Sequence, residues 1–424
     1  MQFSTLSIFF ITLLAIPGVT VAAPLTLKEC LERGKRNNPS VVVAKRDSAI
    51  AAIGAKHAKA AFYPRLDMQG GYTMQLESQA VEINGRSAET QQADFAYANA
   101  ALVYTLYDFG RRDARRLSAQ SSADAEESNV LTREQDTSMQ IIATFYGILE
   151  AGKLVKAAEE EALQVAEHLK IASIMFDQGV VTRNDVLQAE VRLASAKQKL
   201  LSMRNRLDNL RLQLNFLTGA DPASREDLVE QVEIPSETAV LPEPKKALEK
   251  RPEIRALKKR IEASAYDLSE SNSAWYPEIF SRLALDYVQN DRVREQTIMS
   301  ATIGLKMNIF DGYATTTAKQ RAVSIKARAD ETLRLAEAQF QLELATAVND
   351  SRVARERIAV TETAIRQSEE NLRINKDRYQ ARVGTATDVL DAQTLLTQSK
   401  TEHYSSIYDL QVAVARIKRA MGEL

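Results

Sequence analysis

The chain has 424 residues, with 55 Lys plus Arg against 56 Asp plus Glu and a formal net charge of -1. That length excludes a peptide-scale or disordered chain and leaves room for two to three domains, while the balanced charge removes the electrostatic basis for a nucleic-acid partner. A single cysteine, Cys30, and three scattered histidines, His57, His168 and His403, exclude a disulfide scaffold and a Cys- or His-rich metal centre, and no cofactor is expected.

In chain order, residues 6–16 (LSIFFITLLAI) form an apolar run followed by Pro17, Gly18 and small residues, the pattern of a secretory signal peptide over 1–22 with cleavage after Ala22. The run is too short to span a bilayer, and a short membrane anchor is the alternative. Cys30 follows Lys28 and Glu29, which does not fit an N-terminal lipoprotein. No later stretch approaches twenty apolar residues, so the mature chain is expected to be periplasmic, secreted or inserted as β-strands.

The prolines leave residues 65–221 and 278–424 without one, which predicts very long helices in both tracts. Before the first helix, Leu66, Met68, Tyr72, Met74 and Leu76 alternate with Arg65, Asp67, Gln69, Thr73 and Gln75, a period of two that predicts a strand over about 62–76. Less regular residues predict a second strand over 95–108. Two more are predicted at 276–288 (Leu283, Leu285, Tyr287 on one face) and 297–310 (Met299, Ala301, Ile303, Leu305, Met307, Ile309). Residues 77–93 and 289–296 read as polar loops between the paired strands. Soluble hairpins with one face on a core would show the same alternation. Aromatic placement weighs against that reading: 14 of the 26 aromatic residues lie in 62–110 and 275–313, as in the aromatic girdles of outer-membrane barrels.

The helices are predicted at about 111–176 and 315–379, each too long for a globule at ~1.5 Å rise per residue. Gly179 is placed to end the first rod in a left-handed cap, and the T-x-x-D segments at Thr182–Asp185 and Thr385–Asp388 start return helices as capping boxes. Laid over 379–422 without gaps, residues 176–219 match at eleven of 44 positions, and Tyr107-Asp108 matches Phe310-Asp311 at the same offset. Tyr63-Pro64 and Tyr276-Pro277 mark a further pair. The chain therefore reads as a duplication: a first repeat over 23–219, a linker over 220–245 carrying several prolines, and a second repeat over 246–424. The fold class is α+β, mostly α, built from a helix-strand-strand-long helix-helix unit used twice. Four strands cannot close a barrel alone, so membrane insertion requires oligomerisation.

These landmarks resemble the TolC-like outer-membrane efflux protein family: the YP pairs leading into strands, the YDFG and FDG strand exits, and Tyr379 to Gln393 ending in DVLDAQ. The resemblance extends over about 27–422. It implies a homotrimer whose twelve strands form an outer-membrane β-barrel continuous with a long periplasmic α-helical barrel, seated in outer-membrane lipid of a Gram-negative bacterium. It further implies the exit duct of a tripartite efflux pump or type I secretion system, passing small molecules or proteins. Its partners would be a periplasmic adaptor (membrane fusion protein) and an inner-membrane transporter of RND, ABC or MFS type. By position, Asp388 and Asp391 resemble the family's acidic constriction, Tyr379 its tyrosine gate and Asp185 the facing carboxylate, while Gly179, Val180, Val383 and Gly384 fall at the adaptor-docking tips. Two positions depart from the pattern: Arg382 stands at the second hairpin's usual glycine, and Gly384 where an arginine would reach the first hairpin, which leaves Arg382 as the candidate gate residue to substitute for that arginine. The plain alternative for Asp185 and Asp388 is helix capping. The rival function is a periplasmic helical-hairpin adaptor or tether. Asp108-Phe109-Gly110 matches a kinase triplet by chance, since no HRD segment, Walker loop, G-x-S-x-G or H-E-x-x-H accompanies it, and an enzyme is not expected.

Overall fold

The two proline-free tracts become two rods. In the computed structural model, which describes residues 24–230, 244–292 and 294–424, α3 (Arg111–Asp177) and α7 (Ala314–Gln380) each run 67 residues, roughly 100 Å at ~1.5 Å per residue. Each turns back through a short loop into a half-length partner, α4 (Arg183–Thr218) and α8 (Ala386–Ala420). The remaining helices are α1 (Leu27–Asn37), α2 (Pro39–Lys59), α5 (Pro244–Lys250) and α6 (Pro252–Ser273). The leader expected over 1–22 and the linker residues 231–243 lie outside the described residues. No described helix is long and apolar enough to cross a membrane.

Four strands form one antiparallel sheet in the order β1 (Arg65–Met74), β4 (Asp94–Tyr107), β5 (Glu278–Val288), β6 (Thr297–Lys306). The β4–β5 ladder, from Tyr97↔Val288 to Tyr107↔Ile279, joins the two repeats, and β1 and β6 are the edges. The segment 77–93, read from sequence as a polar loop, contains a further hairpin of β2 (Ala80–Ile83) and β3 (Arg86–Glu89). Asn84 and Gly85 turn it at φ 51° and 74°, the left-handed pair that an Asn-Gly dipeptide accepts most readily. That dipeptide between Val81/Ile83 and Ala88 was the available signal; the polar character of the flanks concealed it.

The duplication is visible in the backbone as well as in the sequence. Phe109 and Gly110 take φ 54° and 85°; Gly312 and Tyr313, 203 residues on, take 65° and 68°. At both places two left-handed residues swing the chain from strand to helix. Asp108 Oδ2 accepts from the Arg112 amide at 2.9 Å, and Asp311 Oδ2 accepts from the Thr315 amide at 2.9 Å. The aspartate of the kinase-like triplet is therefore a helix-start acceptor, satisfying an amide that has no intrahelical partner.

The repeats close on themselves at mid-height, where a core of Cys30, Ile141, Phe145, Leu214, Leu217 and Tyr408 joins α1, α3, α4 and α8. Asn38 Nδ2 donates to the Leu217 carbonyl at 2.9 Å, and in the second repeat Arg251 Nη1 reaches the corresponding Ala420 carbonyl at 3.5 Å. Arg251 is 1% exposed, pairs with Glu343 (2.9 Å) and Glu253 (3.2 Å), and lies 3.7 Å from the Phe340 ring centroid. Glu253 also accepts from Arg419 at 2.6 Å, and Arg419 reaches Asp136 on α3. Burial opposes ionisation of Glu253, yet the hydrogen bonds from Arg251 and Arg419 outweigh it and hold its carboxyl below the usual range. Breaking a buried charge network strands its members. Arg251→Ala is expected to cost about 3 kcal/mol, against about 1–2 kcal/mol for Asn38→Ala, which loses a cap and one buried bond. Thermal melting of the helical signal checks this ranking.

Candidate functional site

The chemistry-bearing residues singled out from sequence lie at the ends of the two helical hairpins, away from the sheet. Both turns share one backbone solution. Gly179 (φ 73°) donates its amide to Phe176 O and Val180 to Met175 O, each at 2.8 Å. Arg382 (φ 61°) and Val383 repeat this with Tyr379 O and Arg378 O at 3.1 and 2.9 Å. This is the Schellman arrangement, in which a left-handed residue lets two amides satisfy the last carbonyls of the helix. Glycine enters that region without steric cost; Arg382 enters it with a Cβ. Val383 is 67% exposed, Val180 is half-buried, and a Cβ on Gly384 would meet Arg378 Cβ at 3.1 Å.

The return helices begin with full capping boxes. Asp185 Oδ2 accepts from the Thr182 amide at 2.9 Å, and Asp388 Oδ2 accepts from the Thr385 amide at 3.0 Å. The Thr385 amide, then its hydroxyl, holds the Asp388 carboxyl below its usual range, so it is ionised throughout the neutral and mildly acidic range. Asp391, one turn further, is exposed. Capping uses Asp185 and Asp388 and leaves Asp391 free of that duty. Arg382 is exposed and forms no ion pair among the described residues.

Tyr379 is 6% exposed and packs with Leu372, Val389 and Leu396 rather than standing on the surface. Its ring lies 5.0 Å from that of His168 on α3. Burial pushes its phenol up, with the Asp185 charge adding to the shift. His168 was noted in the sequence only as one of three scattered histidines. No local pattern marks it, because its partner is 211 residues away.

The other end of the molecule is the sheet. Cross-strand register places Leu66, Leu102, Leu283 and Ala301 in one row, and Met68, Ala100, Leu285 and Met299 in the next. That face is open: Met68 and Met299 are each 83% exposed. The opposite face carries Gln69, Asn99, Asp286 and Arg282, and there Asn99 hydrogen-bonds to Asp286. It also carries two glycines in the edge strands, each covered by a cross-strand aromatic. A Cβ on Gly71 would meet Tyr97 at 2.8 Å, and one on Gly304 would meet Phe280 at 2.5 Å. Of the 14 aromatics in 62–110 and 275–313, Tyr63, Tyr107, Phe109, Trp275, Tyr276 and Phe310 fall at the helix-proximal end of the sheet, with Phe109 stacked on Tyr276 at 5.0 Å. They form one belt, because β1 and β5 start where β4 and β6 finish.

A family model described as outer membrane efflux protein matches residues 31–220 and 244–423. The chain belongs to the outer membrane efflux protein family. The outer membrane efflux protein BepC of Brucella suis is 21% identical to it over 409 residues, 94% of this chain and 86% of that protein. The outer membrane protein TolC of Vibrio cholerae is 22% identical, covering 94% and 91%. In three dimensions the crystal structure of VceC from Vibrio cholerae superposes with a TM-score of 0.79 at 19% identity, over 93% of this chain and 96% of that one. An efflux-family protein of this fold resides in the outer membrane of a Gram-negative cell, with its helices in the periplasm.

Proposed function

We propose that three copies of this chain assemble into the exit duct of a tripartite efflux pump or type I secretion system. The observation that carries this reading is the open sheet: its edge strands β1 and β6 have no outer neighbour among the described residues, while one face is largely apolar, with Leu66, Met68, Leu283, Leu285 and Met299 exposed. Unpaired backbone groups cannot face hydrocarbon, and four strands from each of three subunits give twelve, enough to close a barrel. The apolar face then meets lipid and the Asn99–Asp286 face lines the lumen. The helical hairpins continue the duct through the periplasm to tips at Gly179–Val180 and Val383–Gly384, where a periplasmic adaptor docks and connects to an inner-membrane transporter. Asp388 and Asp391 ring the closed end, with Tyr379 and Asp185 behind them.

A tethering adaptor would share the rods but has no use for this sheet, and family membership favours the duct. Purified protein is expected to be a detergent-resistant trimer by light scattering and to conduct ions in a planar bilayer. A stable monomer overturns the reading.

A further inference from the structure

Between α3 of the first hairpin and α7 and α8 of the second lies a cavity of about 160 Å³, within roughly four helical turns of the tips. Among the described residues, four buried side-chain polar atoms lack a hydrogen-bond partner within the protein: Gln164 Oε1, His168 Nε2, Tyr379 OH and Gln393 Oε1. All four residues line this cavity. Unpaired buried polar atoms are uncommon, and each costs about 1–3 kcal/mol if nothing answers it. Their convergence on one space, from three helices, marks that space as polar by construction. At ~30 Å³ per molecule the volume suits a small cluster of water.

We infer that His168 is a positioning residue for Tyr379: the neutral imidazole and the hydrated cavity hold the second hairpin against the first, and protonation of His168 parts them. This rests on the reading of the tips as the closed end of a duct. The geometry gives the reason. The two rings lie 5.0 Å apart at 47°, with His168 7% and Tyr379 6% exposed, so an imidazolium here must be buried beside a neutral phenol. The groups that face it come from every neighbouring helix. α7 presents Lys376, a like charge. α4 presents Asp185, whose carboxylate is already committed to the Thr182 cap; α3 itself adds Glu167 at the cavity wall, and α8 adds only Val389, Leu390 and Gln393.

Burial, then Lys376, lowers the His168 pKa from its ordinary 6.5, with Asp185 opposing. A group that is harder to protonate in the closed seam than in an opened one stabilises closure fully above its ordinary value. That stabilisation is lost as pH falls through 6.5 toward the lowered value. Asp388 stays ionised over this range and the Tyr379 phenol stays neutral, so neither supplies the response.

The test is hydrogen–deuterium exchange on the assembled, full-length protein at a series of pH values from 7.5 down to 5.5, corrected for intrinsic exchange, reading amides 164–171 and 376–393. The expected result is a several-fold acid-dependent rise in the wild type and in His403→Gln, and none in His168→Gln. Lys376→Met should move the rise to higher pH, because it removes the cation that resists imidazolium formation. A rise that persists in His168→Gln, or is absent from the wild type, or is unmoved by Lys376→Met, overturns the proposal. Conductance measured in parallel keeps the two readings apart: a protein that never conducts contradicts the duct, whereas the exchange pattern reports the seam whether or not it conducts.

Discussion

Replacing Gly179 by tryptophan is expected to abolish export while leaving the amount of assembled protein in the membrane unchanged. Gly179 sits at φ 73°, and a Cβ added there would meet nothing within 4 Å. The fold therefore opposes the substitution only through the left-handed backbone, a cost of about 1–2 kcal/mol for an L-residue. The chain itself demonstrates that this cost is bearable, since Arg382 holds the equivalent position of the second hairpin at φ 61°. What the indole changes is the exposed tip, where a docking partner needs close approach to the turn. Gly179→Asn is the control, because asparagine accepts the left-handed region with a small side chain and should export nearly normally. Efflux measured in intact cells, beside a blot for the unheated oligomer, checks both. Loss of the oligomer in the tryptophan variant, or undiminished export, would remove Gly179 from the docking surface.

The double substitution Asp388→Asn with Asp391→Asn is expected to abolish both the cation preference of the closed channel and its block by trivalent cations. In the proposed trimer these two residues would supply six carboxylates, two from each of three subunits, around one aperture whose low-dielectric wall would focus their field. Screening should weaken the preference as salt rises, over a Debye length of about 10 Å at 0.1 M. Structure separates the charge from the capping role: Asp388 Oδ2 accepts from the Thr385 amide at 3.0 Å, and an asparagine oxygen can accept the same bond. The helix start is thus kept while the charge is removed. Reversal potentials in a planar bilayer give the answer, and wild-type selectivity in the double variant would reduce both residues to helix-end chemistry.

Much of this architecture was legible because its signals are local. Thr182–Asp185 and Thr385–Asp388 announced their capping boxes within four residues, and the absence of proline from 65–221 and 278–424 announced the rods. The alternation of Leu66, Met68, Tyr72 and Met74 specified which face of β1 would be apolar. The hairpin at Asn84-Gly85 was equally local and was concealed by the polar composition around it. Arg382 was visible as a departure from a glycine position, but its left-handed backbone was not, since propensity opposes it and the surrounding turn imposes it.

The sequence by itself determined the duplicated unit, the lengths of the rods and the period-two faces, because each follows from backbone sterics and hydrophobic spacing within a few turns. Tertiary structure alone decided the pairings between distant segments. It set β4 against β5 to join the two repeats, brought Glu343 and Arg419 to the buried Arg251–Glu253 pair, and gathered six aromatics at the strand ends into one belt. It also brought His168, Gln164, Tyr379 and Gln393 to a single cavity. Across the two hairpins such groups carry no mutual spacing in the chain; only the closing of one hairpin against another makes an unremarkable histidine and a buried tyrosine neighbours.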